Sequence, residues 1–214
     1  MSRYMNLHHV LVNFKLEEMK SYVEKMEEFL RDEISNFDKR FEEETSGWSD
    51  EDKNEYGEFI SDDYWTLAET HPNLLRSSMF ITIYSFAENE LKSLCQIYKM
   101  RNPDKRDFFP RGQRLSKINR YLTCIEQYTG VDIISKIENW ELLDNHYREV
   151  RNILAHDGGE VDDNKEDNNN ILLLEELKIK VNHSGLLILQ DQLCLDFLND
   201  LDSFFNSLFK LIEK

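Results

Sequence analysis

An arginine, an asparagine and a histidine lie close together in the stretch REVRNILAHDGG, residues 148–159. An arginine can stabilise negative charge on phosphate oxygens, and a histidine can transfer a proton near neutral pH. When RNA is cleaved by its own 2′-hydroxyl, the reaction needs a base, an acid for the departing 5′-oxygen, and positive charge beside the phosphorus. Arg151, Asn152 and His156 are therefore the candidate catalytic residues, and this chemistry requires no metal ion.

The apolar residues around this stretch predict the helix that positions the three candidates. At about 100° per residue, five apolar residues form a core-facing stripe about 80° wide: Trp140, Leu143, Tyr147, Val150 and Leu154. A polar stripe points away from the core and comprises Asn145, Arg148, Asn152 and His156. Arg151 lies about 140° round the helix from His156, so the two side chains can meet only over the helix end or between two subunits.

A simpler interpretation of the same residues remains open. Arg151 could be a surface arginine paired with Glu149 or Asp157, and His156 could merely end the helix. An arginine followed by a histidine after four to six residues occurs about once by chance in a chain of this composition. Spacing alone therefore does not separate a catalytic site from an ordinary helix end.

The surrounding sequence adds to the spacing. A polar residue follows Arg151 directly, two glycines follow the helix, and a mostly apolar helix containing LLRSSMFITIYSFAENEL lies upstream. Over about residues 60–214 the chain resembles the HEPN family, the higher eukaryotes and prokaryotes nucleotide-binding domain, whose motif is arginine, a polar residue, three to five residues and histidine. The resemblance implies a helical bundle that forms a homodimer, with the motifs of both chains meeting in a metal-independent ribonuclease site.

The resemblance also assigns roles to individual residues. It implies that Arg151 stabilises the phosphate, that His156 is the acid or base, and that Asn152 positions the substrate. Glu88 or Glu90 resembles an acidic position that some members carry on the earlier helix, and the sequence does not choose between them. Many members are toxins or antiviral-defence effectors, often accompanied by an antitoxin or a larger complex, so we expect an antitoxin or defence-complex protein as a possible partner.

The pattern along the chain predicts one all-α domain over residues 1–214. Apolar residues at threes and fours from Phe14 to Phe41 predict a long first helix within residues 1–45, and the HEPN-like core follows from about residue 60. The segment TSGWSDEDKNEYGEF is expected to break the helical structure, which restarts at Ser61 or Asp62 and stops again at HPN, residues 71–73. LKIKVNHSGLLIL predicts a small β-hairpin before an amphipathic C-terminal helix.

Charge is distributed unevenly along the chain. The formal net charge is -16, but residues 99–120 carry eight Lys or Arg against two Asp, a local +6 that we call the basic island. This island could track a phosphate backbone, or it could pair internally with residues 42–63, the acidic segment, which contains ten acids and one lysine. On the first alternative the candidate RNA-binding residues are Arg101, Lys105, Arg106, Arg111, Arg114 and Arg148.

Several other functions lack their motifs. The chain has no P-loop, no GxGxxG and no GxSxG motif, so it shows no sign of a nucleotide, dinucleotide or hydrolase site, and we expect no cofactor. Neither HExxH nor paired CxxC motifs occur, and the three cysteines are expected to be free buried thiols. Without a signal peptide or an apolar span, a cytoplasmic protein is expected. The two functions left are a HEPN-type endoribonuclease and a non-catalytic interaction module.

Overall fold

The fold is mostly helical, and the predicted all-α class with a small hairpin before the last helix is confirmed. The computed structural model describes residues 3–104, 115–137, 140–161 and 174–212. These ranges contain seven α-helices, α1 Arg3–Glu44, α2 Asp50–Phe59, α3 Ser61–Trp65, α4 His71–Arg101, α5 Lys117–Thr129, α6 Arg148–His156 and α7 Leu193–Ile212. They also contain the strands β1 Lys180–Val181 and β2 Leu187–Ile188, which pair in antiparallel fashion.

The long first helix runs antiparallel to α4 and also packs on α7. Its buried apolar residues repeat at intervals of four and seven along one face: Val12, Leu16, Val23 and Leu30. Lys15 Nζ binds Glu90 Oε1 of α4 at 2.6 Å, and Lys20 Nζ binds Asp202 Oδ2 of α7 at 3.0 Å. The predicted long helix is confirmed, and these ion pairs fix its position along both neighbours.

The expected break after the first helix is present at residues 45–49 but is shorter than predicted, helical structure restarts at Ser61 as expected, and the expected stop at residues 71–73 is wrong. Ser49 accepts a hydrogen bond from the Asp52 amide at 3.2 Å and caps α2 within the segment predicted to be irregular. Pro72 does not end the helical structure: it lies in the first turn of α4, directly after a π-helical turn. A π-helical turn, Thr66–Thr70, joins α3 to α4 without interruption.

Helix α4 lies at the centre of the core. Phe80 of α4 packs against Phe197 of α7 with ring centroids 5.0 Å apart. Tyr147 stacks on the same Phe197 ring at 3.9 Å and donates a hydrogen bond to Asp200 Oδ2 at 2.5 Å. These buried rings connect α4, α7 and the segment before α6, so the helix that carries the candidate motif is held by the central packing.

Helix α5 is joined covalently to α4, and the cysteine prediction is therefore wrong for two of the three residues. Ser116 caps its first turn, and Gly130 ends it with a φ of 72°. Cys95 of α4 and Cys124 of α5 form a disulfide with Cα atoms 6.1 Å apart. Only Cys194 is a free buried thiol, and burial raises its pKa to about 12. The sequence could not reveal this pairing, because 29 positions separate the two cysteines.

The hairpin and the C-terminal helix form as predicted. Asn182 Oδ1 accepts hydrogen bonds from the amides of Ser184 and Leu186, each at 2.9 Å, and these bonds shape the turn. Asn73 of α4 donates to the Leu187 carbonyl at 2.8 Å and accepts from the Leu189 amide at 2.9 Å. The hairpin is thereby fixed to the start of α4. Within the described part of the chain, no helix is long and apolar enough to cross a bilayer.

We predict that Arg76→Met lowers the free energy of unfolding by about 3–5 kcal/mol, because it leaves a buried carboxylate unpaired. Glu27 is 3% exposed, and its two carboxylate oxygens accept hydrogen bonds from the Arg76 guanidinium at 2.8 and 2.7 Å. Chemical denaturation measures the loss. The double variant Glu27→Leu/Arg76→Met is the control and should recover at least half of it, since no charge then stays buried. Equal losses in the two variants would contradict this account.

We also predict that the Cys95–Cys124 disulfide contributes about 2–4 kcal/mol to stability, because it restricts the unfolded chain. Dithiothreitol should lower the denaturation midpoint of the wild-type protein. The same treatment of Cys95→Ala/Cys124→Ala should change nothing, which separates loss of the bond from other effects of the reductant. An unchanged wild-type midpoint after complete reduction would mean that the bond has no stabilising role.

Candidate functional site

The helical segment that carries the motif is built from two parts. A π-helical turn, Leu142–Tyr147, leads directly into α6, and Val150 and Ile153 of α6 are buried. Gly158 and Gly159 follow with φ values of 64° and 90°, which side chains with a Cβ rarely adopt, so the predicted glycine stop is confirmed. The Leu187 amide of β2 donates to the Gly159 carbonyl at 2.9 Å, and the hairpin thus holds the end of the helix.

Arg151 is held from two sides by α4. Its guanidinium carbon lies 4.8 Å from the centroid of the Tyr84 ring, and Nη2 donates to Glu88 Oε1 at 3.3 Å. The side chains of Arg151 and Glu88 are 19% and 15% exposed, so solvent screens the pair only in part. The alternative partners Glu149 and Asp157 form no ion pair with Arg151. Arg151 is therefore a fixed residue of the α4–α6 contact and not a solvated surface arginine.

Glu88, and not Glu90, is the acid that contacts the motif. Glu88 Oε2 also accepts a hydrogen bond from Lys117 Nζ, the first residue of α5, at 3.0 Å. Glu90 lies on another side of α4, where it pairs with Lys15 at 2.6 Å and faces His8 Nε2 at 3.6 Å. One carboxylate thus joins the motif arginine to the end of the basic island, an arrangement that the sequence left undecided.

The other two candidates lie further out on α6. Asn152 is half-buried and His156 is exposed in the last turn. No hydrogen bond or ion pair joins either side chain to Arg151 among the described residues, in agreement with the expected angle of about 140° between Arg151 and His156. One chain by itself therefore does not bring arginine and histidine together. His156 is accessible to a second chain or to a substrate.

Asp144 Oδ1 near Tyr84, and Arg148 Nε one turn before Arg151, are buried and have no hydrogen-bond partner among the described residues, and Tyr84 Oη is also buried, close to the Arg151 guanidinium. Burial, together with the nearby Glu88 carboxylate, raises the pKa of Tyr84, so its hydroxyl stays protonated and can donate. Arg148, a predicted RNA-binding residue, is half-buried. Sequence reasoning missed Tyr84 and Asp144, because both read as ordinary positions of buried segments. The one available signal was that Tyr84 and Glu88 are four residues apart and share a face of α4.

The basic island and the acidic segment lie at opposite ends of α1. Leu7 and Leu11 border the groove that contains Arg101 at the end of α4, whereas Phe41 stacks on Tyr56 of the acidic segment at 5.9 Å. The 34 residues from Leu7 to Phe41 span about 50 Å of helix. The described ends of the two segments are thus too far apart to pair with each other. The remaining predicted RNA-binding residues, Lys105, Arg106, Arg111 and Arg114, lie outside the described residues.

The described ranges can be compared with the side-chain clusters that metal ions require. They hold no group of three or more His, Cys, Asp or Glu side chains arranged around a common point. The α4–α6 contact provides a guanidinium, a lysine ammonium group and a carboxylate that both of them share, and α6 carries an exposed imidazole further out.

We predict a coupling free energy of about 1 kcal/mol between Arg151 and Glu88 in a double-mutant cycle of Arg151→Ala and Glu88→Ala. The partly buried pair is the physical reason, and urea denaturation of the four proteins measures it. The matched control replaces Glu88→Ala by Glu149→Ala and should give a coupling near zero, because Glu149 makes no ion pair with Arg151. A larger coupling to Glu149 would place Arg151 on the solvated face of α6.

Comparison with known proteins found no match among protein-family models, curated protein sequences or solved structures.

Proposed function

We propose that the protein is a metal-independent endoribonuclease of the HEPN type that acts on cytoplasmic RNA as a toxin or antiviral-defence effector. The observation that carries this proposal is the arrangement of side chains at the end of α6. Arg151 is held there by Glu88 and Tyr84, and His156 is exposed one turn later, two residues before Gly158 and Gly159. This combination matches the arginine, polar residue, three residues and histidine order of the family motif.

The proposed reaction is transfer of a phosphoryl ester within the RNA. The 2′-oxygen attacks the adjacent phosphorus while a base removes its proton, a bond from that oxygen to phosphorus forms, and the bond to the 5′-oxygen breaks. The departing 5′-oxygen takes up a proton, which leaves a 2′,3′-cyclic phosphate and a 5′-hydroxyl. His156 supplies or removes a proton, and Arg151 stabilises the negative charge that builds up on the phosphorus oxygens.

The separation of the two side chains on α6 favours a site made by two chains. Arg151 faces α4 within its own chain, whereas His156 is exposed, so a homodimer would let the histidine of one copy approach the arginine of the other. Asn152 is half-buried and lies between Arg151 and His156 in the sequence. In this arrangement it can position the phosphate or the ribose. In this arrangement the phosphate competes with Glu88 for the Arg151 guanidinium. A cation open to solvent would have no such carboxylate to displace.

The basic island is the proposed path of the RNA backbone toward the site. Lys117 at the start of α5 is 3.0 Å from the carboxylate that also holds Arg151, so the end of the island borders the motif. Arg101 of the island and Arg148 of α6 are the candidate RNA-binding residues that the structure describes. Backbone contacts of this kind are electrostatic, so binding should weaken as salt rises.

The cleavage assay uses total RNA and purified tRNA in the presence of EDTA. We expect wild-type protein to cut, and we expect His156→Ala and Arg151→Ala to lose at least about 100-fold in rate, the usual range for removal of a general acid–base or charge-stabilising group. His183→Ala is the matched control, since His183 is exposed in the hairpin turn and should retain full activity. Circular dichroism and denaturation midpoints confirm that each variant folds.

The outcomes separate the possibilities. Cleavage that survives His156→Ala, or that His183→Ala removes equally, would overturn the assignment of the site. Cleavage that EDTA abolishes would overturn the metal-independent mechanism. The products provide a further check, since attack by the 2′-oxygen must leave a cyclic phosphate, which mass spectrometry distinguishes from a 3′-hydroxyl.

A second candidate function is a non-catalytic HEPN-like interaction module or subunit of a defence complex. The observation that favours it is the neutralisation of Arg151 by Glu88 in a chain with a formal charge of -16, both of which oppose RNA binding. This candidate predicts that folded wild-type protein cuts no RNA at any salt concentration, and that a protein partner, such as an antitoxin, binds it instead.

A further inference from the structure

Helix α1 is apolar on two sides. One side faces the core through Val12, Leu16 and Val23. The second carries six large apolar residues that are each 46–62% exposed: Leu7, Val10, Leu11, Phe14, Tyr22 and Phe29. At about 100° per residue these six fall within about 120° on the side opposite the core, over 22 residues or about 33 Å of helix. We call them the α1 stripe.

The α1 stripe is large enough to mark an interaction surface. An aromatic side chain has roughly 200 Å² of surface. The three half-exposed rings of the stripe, Phe14, Tyr22 and Phe29, therefore leave about 300 Å² in solvent. On a typical monomeric protein the largest apolar patch is about 300–600 Å², and patches of that size are often functional.

A groove between α1 and α4 extends the stripe. Tyr22 forms part of its wall, and the groove has a volume of about 640 Å³. Its floor is apolar, with Met19, Leu75, Met79 and Phe86, and its outer edge on α4 carries the exposed small residues Ser78 and Thr82. Small residues on one wall allow a helix to approach closely, so ridge and groove together suit an α-helix lying along α1.

The charges beside the stripe select the kind of helix. Five exposed acids interleave with it or border it, against the bases Lys25 and Arg31: Glu17, Glu18, Glu24, Glu28 and Asp32. Lys15 at the groove edge is already paired with Glu90 at 2.6 Å. A second copy of α1 laid on this face would bring acids against acids, whereas lysines and arginines at the borders of an apolar helix would meet opposite charge.

We propose that the α1 stripe and the adjoining groove form a docking surface for a basic amphipathic helix of a partner protein. Leucine or phenylalanine side chains on one face of that helix pack on Phe14 and Tyr22 and enter the groove. Lysine and arginine side chains along its borders pair with Glu18, Glu24 and Glu28. The surface uses neither Arg151 nor His156, so this inference does not depend on ribonuclease activity.

The test measures binding of two synthetic 18-residue peptides to the full chain by fluorescence anisotropy. The basic peptide has a leucine and phenylalanine face bordered by lysine and arginine, and the acidic peptide has glutamate at every basic position. We expect the basic peptide to bind at least about tenfold more tightly than the acidic one, with an affinity that falls as salt rises. Phe14→Ser/Tyr22→Ser should weaken its binding by at least about tenfold, the range seen when interface aromatics are truncated.

Phe59→Ser/Trp65→Ser is the matched control, because it removes two aromatic residues that are 83% and 63% exposed in or next to the acidic segment. It should leave binding unchanged. Equal weakening by the two double variants, or equal binding of the two peptides, would overturn the proposal. Sedimentation velocity tests whether a second copy of the chain occupies the surface instead. A wild-type dimer that Phe14→Ser/Tyr22→Ser converts to monomer would assign the surface to a second copy and overturn the proposal of a basic partner helix.

Discussion

The burial of α4 is the constraint on which the rest of the structure depends. A helix that is apolar around most of its circumference can be stable in water only if other elements cover it. Helices α1, α5, α6 and α7 all pack against it, and each contributes its own apolar stripe to one connected core. No neighbour needs to be stable alone, because each buries its apolar side by covering α4.

The few charges on α4 determine how these neighbours are placed along it. Arg76 binds Glu27 and Glu90 binds Lys15, so two ion pairs fix α1 at points about three to four turns apart. Glu88 faces the other way and receives Arg151 of α6 and Lys117 of α5. Apolar contacts alone would let the helices slide by a turn at modest cost, whereas buried or half-buried carboxylates without partners are unfavourable. Packing supplies most of the stability, and the charges set the register.

Much of the fold could be predicted from the sequence, because its apolar residues repeat with the helical period. The long α1, the buried α4, the hairpin and the C-terminal helix follow from periodicity and turn residues. The corrections come from interactions that local patterns do not contain. A proline is tolerated in the first turn of a helix, so Pro72 does not stop α4. Ser49 caps a helix inside a segment whose composition predicts a break. Phe14 and Tyr22 share the spacing of core residues, and only the packing of α1 separates its covered face from its exposed one.

The candidate site was predictable to a smaller extent. The types and spacing of Arg151, Asn152 and His156 identify the candidate motif, and the two glycines that follow it identify where the helix stops. The neighbours of Arg151 were not predictable, since Tyr84 and Glu88 are more than 60 positions away and only the tertiary fold brings them close. That is why the choice between Glu88 and Glu90 could be made only from the structure.

The π-helical turn in front of α6 has a consequence for how the chain length before the motif can change. A π-turn holds one residue more than an α-turn, so it behaves as an insertion absorbed within a continuous helix. Loss of one residue from Leu142–Tyr147 could restore an ordinary α-turn and leave everything downstream in place. Loss of one residue between Arg151 and His156 has no such outlet, and it would rotate the histidine by about 100° about the helix axis. In this chain a one-residue deletion can thus be absorbed before the motif, whereas one within it changes where His156 points.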